Sequence, residues 1–203
     1  MNDLFGPTVN TEPIDGEKGR TERGAFFTPD ALALAICQEL NKDPIRRNIA
    51  TDGFMLEPGC GGGAFLRAAH KTWPHMCLDG IDLLPACKSP GHVVQGDVFK
   101  LVSGDYDLIL GNPDFSVAGE MVRHCMGLLH QGGVLALLLR CGFEMSNERI
   151  PLFSDFPLLA RAAIPQRPSF ISSGATDRYD YALFVWQQGH QGTGHLLPPI
   201  IWR

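Results

Sequence analysis

The segment YDLILGNPDFSVAG carries an apolar strand-like stretch, Tyr106 to Leu110, straight into Gly111, Asn112, Pro113, Asp114 and Phe115. An amide, a proline, a carboxylate and an aromatic ring are thereby presented together where a buried strand ends. That set brings hydrogen-bond acceptors and a stacking face to one place. The plain reading is a turn opened by Asn-Pro, with Phe115 as a core ring. A second group stands upstream in FMLEPGCGGGAF, where Glu57-Pro58 is followed by Gly59, Gly61, Gly62 and Gly63 ahead of a helix. Glycines at such a turn permit positive φ and close approach of the backbone to a ligand, at the sheet edge where open α/β folds bind cofactors. Asp82 closes the next strand about 25 residues after Glu57, where dinucleotide-fold logic puts a carboxylate on ribose hydroxyls. Asp97 closes the strand after that. Any one of these acids reads as a solvated loop carboxylate; three successive strands ending in acids are hard to explain by packing.

These motifs resemble those of the class I, S-adenosylmethionine-dependent amino-methyltransferases, specifically the adenine-N6 DNA methyltransferases and their phage relatives. EPGCGGGAFL is similar to the family's (D/E)PxxGxGxF cofactor motif, FFTP at 26–29 to its N-terminal cofactor motif, and NPDF at 112–115 to its (D/N/S)PP(F/Y/W) catalytic motif. Their order along the chain fits as well, and the resemblance spans residues 24–140. It implies S-adenosyl-L-methionine as cofactor, bound by Phe27, Thr28, Glu57, Gly59, Gly61, Asp82, Leu83, Asp97, Val98 and Asn112. It also implies a substrate amine held by the Asn112 side-chain oxygen and the Pro113 carbonyl, with Phe115 stacking on a base swung out of its helix. An exocyclic aromatic amine is a poor nucleophile because its lone pair is delocalised into the ring. Two acceptors on its N–H groups draw the nitrogen towards sp³ geometry and free that pair.

Asp114 departs from the pattern. A proline there would hold Pro113 extended and aim its carbonyl, whereas an Asp releases that restraint and adds a charge among the catalytic residues. Three readings follow: a tolerated change with a looser loop, a shifted substrate, or lost catalysis with cofactor binding kept. The first fits the retention of Asn112, Pro113 and Phe115.

The elements that must position these residues alternate. Asp30 to Leu40 has helical spacing, with Pro29 in the first turn and Thr28 as its cap. Strands are predicted at GFMLEPG, MCLDGIDL, HVVQGDVF, YDLILGN and VLALLLR, and helices at GGAFLRAAHKTW and VAGEMVRHCMGLLH, the latter stopped by Gly132-Gly133. YDYALFVWQQ reads as an alternating strand near the C-terminus. Near-continuous apolar strands separated by helices predict a mostly parallel central sheet with helices on both faces. With an antiparallel C-terminal strand, this is the Rossmann-like α/β architecture of class I methyltransferases. Residues 1–23 read as a flexible arm and 24–203 as a single methyltransferase domain without a large target-recognition domain.

Six cysteines without a CxxC pair read as reduced, buried thiols, and seven histidines without metal-ligand spacing give a metal site no support. No apolar run suits a membrane span and the first ten residues lack a leader pattern, so the expectation is a cytoplasmic protein of a bacterial or phage-infected cell. The net charge of −5 argues against a broad electrostatic grip on nucleic acid, although the last 63 residues carry five Arg against five acids. The partner expected is DNA, or RNA, bound with low sequence specificity through QRPSFISSGATDRYD: Arg167 and Arg178 on phosphates, Phe170 or Tyr179 stacking. A solvated hairpin is the alternative for that loop. Methyl transfer to a protein amide, as in release-factor glutamine methyltransferases, and a non-catalytic cofactor-binding module are the alternative functions.

Overall fold

The computed structural model describes residues 27–85, 89–170 and 178–202. The arm expected at 1–23, Phe26, Cys87 and residues 171–177 of the proposed substrate loop lie outside them. Eight strands occur in chain order: β1 (Phe54–Pro58), β2 (Cys77–Asp82), β3 (His92–Gln95), β4 (Tyr106–Gly111), β5 (Leu129–Arg140), β6 (Leu158–Ile164), β7 (Tyr181–Gln187) and β8 (His195–Leu196). They form one sheet in the order β3-β2-β1-β4-β5-β7-β6-β8. The first five run parallel, while β7 is antiparallel to both β5 and β6 and the short β8 lies parallel to β6 at the edge. The expected mostly parallel sheet with an antiparallel C-terminal strand is what the chain forms.

Helices α1 (Asp30–Leu40) and α2 (Ala64–Thr72) cover one face, α3 (Ala118–Met126) and α4 (Ile150–Asp155) the other. The apolar run of β5 shows why both faces need covering. Val134, Ala136 and Leu138 pack with Leu32, Ile36 and Phe65 on one side, and Leu135, Leu137 and Leu139 pack with Met121, Val122 and Cys125 on the other. Strand alternation splits a continuous apolar segment between two cores. No helix among the described residues is long and apolar enough to cross a membrane.

Two local expectations change. The helix predicted to run to Gly132-Gly133 ends at Met126, and Leu129 already belongs to β5. Those glycines lie inside the strand: Gly132 takes φ +90° where the β4–β5 register shifts, and a Cβ on Gly133 would meet the Tyr106 carbonyl oxygen at 2.7 Å. They serve a bulge, which only residues without side chains allow here. The alternating pattern of β7 does not mark a half-exposed strand either. Tyr181 through Trp186 are all buried because β7 is inserted between β5 and β6.

The cysteines also divide. Cys37, Cys60 and Cys125 are buried, whereas Cys77 is exposed. Burial pushes the Cys125 thiol up to about 12, and burial, reinforced by the nearby Glu57 carboxylate, raises Cys37 further still. Both stay protonated and behave as small apolar groups.

Candidate active site

Because β1, β2 and β4 run parallel, Pro58, Asp82 and Gly111 reach the same sheet edge. The crossovers diverge between β1 and β4, which opens a crevice at that edge. A cleft of about 540 Å³ occupies it, lined by Phe27, Gly59, Gly61, Asp82, Leu83, Asp97, Val98 and the whole Asn112–Phe115 tip, among others. A recess of about 70 Å³ adjoins it, bounded by Thr28, Glu57, Arg67 and Asn112.

The glycine turn between β1 and α2 needs glycine. Gly59, Gly61 and Gly63 have φ of +64°, +48° and +71°, a region costly for residues with a Cβ. Two acids hold the turn in place. Glu57, 4% exposed, accepts the Leu66 N–H at 2.9 Å with Oε2, which satisfies one of the free donors of the first turn of α2. It borders the recess and not the main cleft. Asp82 accepts the Gly61 N–H at 2.8 Å with Oδ2 and the Leu84 N–H at 2.7 Å with Oδ1, tying the turn to the loop after β2. Spacing suggested a ribose contact for Asp82; what the structure shows is a positioning task that spacing alone does not reveal. Asp97 Oδ1 accepts the Phe99 N–H at 3.1 Å and fixes the short 3-10 turn Val98–Lys100 along the cleft wall.

At the tip of β4, Asn112 Nδ2 donates to Thr28 Oγ1 at 3.1 Å. Asn112 Oδ1 is buried and has no hydrogen-bond partner. Thr28 therefore does not cap α1, which begins at Asp30 with Pro29 before it and no side-chain cap. It orients Asn112 instead. Phe27 packs over the glycine turn, its Cδ1 3.1 Å from where a Gly62 Cβ would sit. Phe115 is half-buried, 5.7 Å from the Tyr181 ring, with the Arg140 guanidinium over it at 4.5 Å.

Asp114 engages its carboxylate locally. Its Oδ1 accepts the Ser116 N–H at 2.8 Å and the Ser116 hydroxyl at 2.7 Å, and its carbonyl accepts the Val117 N–H at 3.2 Å. This side-chain turn leads into α3 and gives the loop a restraint that a second proline would otherwise supply. Asp114→Asn keeps an acceptor for Ser116 and removes the charge, so the methyl transfer that the sequence resemblance implies should stay within about twofold of wild type. A tenfold loss in a folded variant would give the charge a direct role.

The expected substrate residues separate. Phe170 is 3% exposed and packs edge-on against Tyr181 at 5.1 Å, so its ring is core and is not presented for stacking. Its carbonyl accepts the Phe27 N–H at 3.2 Å, which ties the loop's start to the N-terminal motif. Arg167 is on the surface, with Nε donating to Asp180 Oδ1 at 2.9 Å. Arg178 is exposed, and Tyr179 next to it lies against Arg140. Sequence reasoning passed over Arg140, Phe99 and Met121. For Arg140 a signal was present, a lone cation ending the otherwise apolar run VLALLLR.

No family model matches the chain. It is 28% identical over 144 residues to a malonyl-acyl-carrier-protein O-methyltransferase of Paenibacillus, covering 60% of this chain and 52% of that protein. It is 24% identical over 150 residues to a type II methyltransferase of Paramecium bursaria Chlorella virus, covering 61% and 38%. With the ribosomal RNA small subunit methyltransferase C of Haemophilus influenzae it shares 25% over 128 residues, covering 54% and 39%. The chain spans about half the length or less of the curated relatives it matches. Among solved structures, a Listeria monocytogenes protein assigned to the class I S-adenosylmethionine-dependent methyltransferases superposes with a TM-score of 0.64 at 11% identity, over 86% of this chain and 66% of that one. The methyltransferase subunit of a Streptococcus thermophilus type I restriction-modification system gives 0.64 at 14%, over 85% and 47%. The fold is that of the class I methyltransferases.

S-adenosylmethionine is the cofactor of that fold, and the residues present fit it. The main cleft has the volume for a nucleoside with a short side chain, the positive-φ glycines bring backbone close to it, and acids stand at the ends of β1 and β2 and just beyond β3. Phe27 and Thr28, from the FFTP segment, line the recess beside the glycine turn.

Proposed function

We propose that the chain is an S-adenosylmethionine-dependent N-methyltransferase acting on an exocyclic amine of a nucleic-acid base, adenine N6 in DNA, in the cytoplasm of a bacterial or phage-infected cell. The observation that carries this reading is the buried, unpartnered Asn112 Oδ1 on the cleft wall. Buried acceptors are nearly always satisfied, and one left open in a cleft suits an N–H donor on a ligand. The Thr28 hydroxyl holds the amide so that oxygen, not nitrogen, faces the ligand. An amine offers two such donors, one for Asn112 Oδ1 and one for the Pro113 carbonyl. A carboxylate substrate offers none and would set lone pairs against lone pairs, which disfavours the O-methylation named for the Paenibacillus relative. Bound S-adenosylmethionine supplies an electrophilic methyl group; the chain's part is to orient the amine towards it.

Similarity to proteins of ribosomal RNA methylation and restriction-modification supports a nucleic-acid substrate. Residues 24–203 then form one catalytic domain. With Phe170 in the core and Arg167 paired, Arg178 and Tyr179 are what remains of the expected recognition loop among the described residues, in keeping with low sequence specificity. Labelled cofactor offered side by side to DNA, RNA and protein tests the reading: label should enter DNA at adenine. Label in protein alone, or in nothing while cofactor binds, would overturn it. Arg178→Ala should lower the salt slope of DNA binding by about 0.7–0.9, one phosphate's worth, and Arg167→Ala by less because Asp180 already engages that side chain. Equal slopes in wild type and Arg178→Ala would move the phosphate path elsewhere.

A further inference from the structure

Arg140 closes β5 opposite Tyr181 of β7. Its guanidinium carbon lies 3.7 Å from the centroid of the Tyr179 ring and 4.5 Å from that of Phe115. Its Nε is buried without a hydrogen-bond partner, and the Arg140 side chain makes no hydrogen bond or ion pair with any described residue. The neighbouring arginines have partners: Arg161 Nε, also without a hydrogen bond, lies 3.3 Å from Glu144 Oε1, Arg167 meets Asp180, and Arg149 donates to the Phe143 carbonyl. A guanidinium given aromatic faces but no acid keeps its in-plane donors for a partner outside the chain. Phe115 belongs to the cleft wall and to the Asn112–Phe115 tip, so those donors stand beside the place where substrate enters. Packing does not require them, because the six residues before Arg140 in β5 are apolar and an apolar side chain would extend that run.

We infer that Arg140 is a substrate-binding residue that takes a phosphate oxygen of the target nucleotide. The inference rests on the nucleic-acid reading above. On a nucleotide the phosphodiester carries the charge while the base is neutral, and the planar guanidinium fork matches two phosphate oxygens. In a chain of net charge −5, a cation without a counter-charge among the described residues, set against the cleft-lining Phe115, gives the phosphate a local site that the overall charge does not. Clamped between Phe115 and Tyr179, Arg140 couples the phosphate position to the ring that borders the base.

The test uses the full chain with S-adenosylhomocysteine and an oligothymidylate carrying one adenine, with binding read by fluorescence anisotropy across a salt series and methyl transfer read as KM and kcat. Arg140→Gln should raise KM about tenfold with little change in kcat, and lower the salt slope by about 0.7–0.9. Arg140→Lys keeps the charge and should keep the slope. Cofactor affinity equal to wild type shows that each variant is folded. With uncharged methylphosphonate linkages flanking the adenine, wild type and Arg140→Gln should bind alike. If the Arg140→Gln slope equals wild type, or its penalty persists on the neutral linkages while wild type still methylates DNA, Arg140 merely braces Phe115 and this inference falls alone. If wild type methylates neither DNA nor RNA, both readings fall.

Discussion

Replacing Asn112 by alanine should cut methyl transfer by about 10³-fold while cofactor affinity stays near wild type, since the amine loses one of its two acceptors and with it the orientation of its lone pair. The same change should leave thermal stability unaltered or slightly raised. Asn112 Oδ1 is buried with no partner, so the folded chain carries an unmet desolvation cost there. The loss on the other side of the balance is small, a single hydrogen bond from Nδ2 to the Thr28 hydroxyl. Asn112→Asp keeps the acceptor and lets the Thr28 hydroxyl donate to it, so activity should stay within about tenfold. Steady-state kinetics, calorimetric titration with S-adenosylhomocysteine and a melting curve together decide the matter. A large drop in melting temperature with modest loss of kcat would make Asn112 a structural residue and remove the main support for an amine substrate.

The second large effect is expected at Asp82. Asp82→Ala takes the acceptor from both the Gly61 and the Leu84 N–H. Hydrogen bonds to a charged acceptor contribute about 1.5–3 kcal/mol each, and these two tie the glycine turn to the loop after β2 along the cleft. Cofactor affinity should therefore fall about 100-fold, with a loss of stability of a few degrees. Kinetics should divide accordingly: the apparent KM for S-adenosylmethionine rises steeply, whereas kcat at saturating cofactor falls much less. Asp82→Asn retains one acceptor oxygen and should land between. An affinity within twofold of wild type in Asp82→Ala would mean that the glycine turn holds its shape without this carboxylate.

The parallel half of the fold and the composition of the cleft are legible along the chain. Near-continuous apolar strands can be buried only between two helical layers, and the glycine turn, Asp82, Asp97 and Asn112–Phe115 each follow a predicted strand, so a parallel sheet must bring them to one edge. Both effects are local or periodic and therefore readable along the chain. What each of those residues touches was decided by tertiary structure. Thr28 looked like a cap for α1, yet 84 residues separate it from the Asn112 amide that its hydroxyl receives. Asp114 looked like an intruding catalytic charge and is occupied by Ser116. Phe170 looked like a stacking ring; the insertion of β7 between β5 and β6 places Tyr181 against it and closes it into the core. Gly132-Gly133 looked like a helix stop and serves a bulge whose need arises only from pairing with β4. Arg140 shows the same division: the sequence displays a cation at the end of an apolar strand, but that it meets two rings and, among the described residues, no acid depends on where Phe115 and Tyr179 arrive from other elements. Hydrogen-bond partners, ring faces and the absence of a counter-charge are properties of neighbours distant in sequence, and only packing brings those neighbours together.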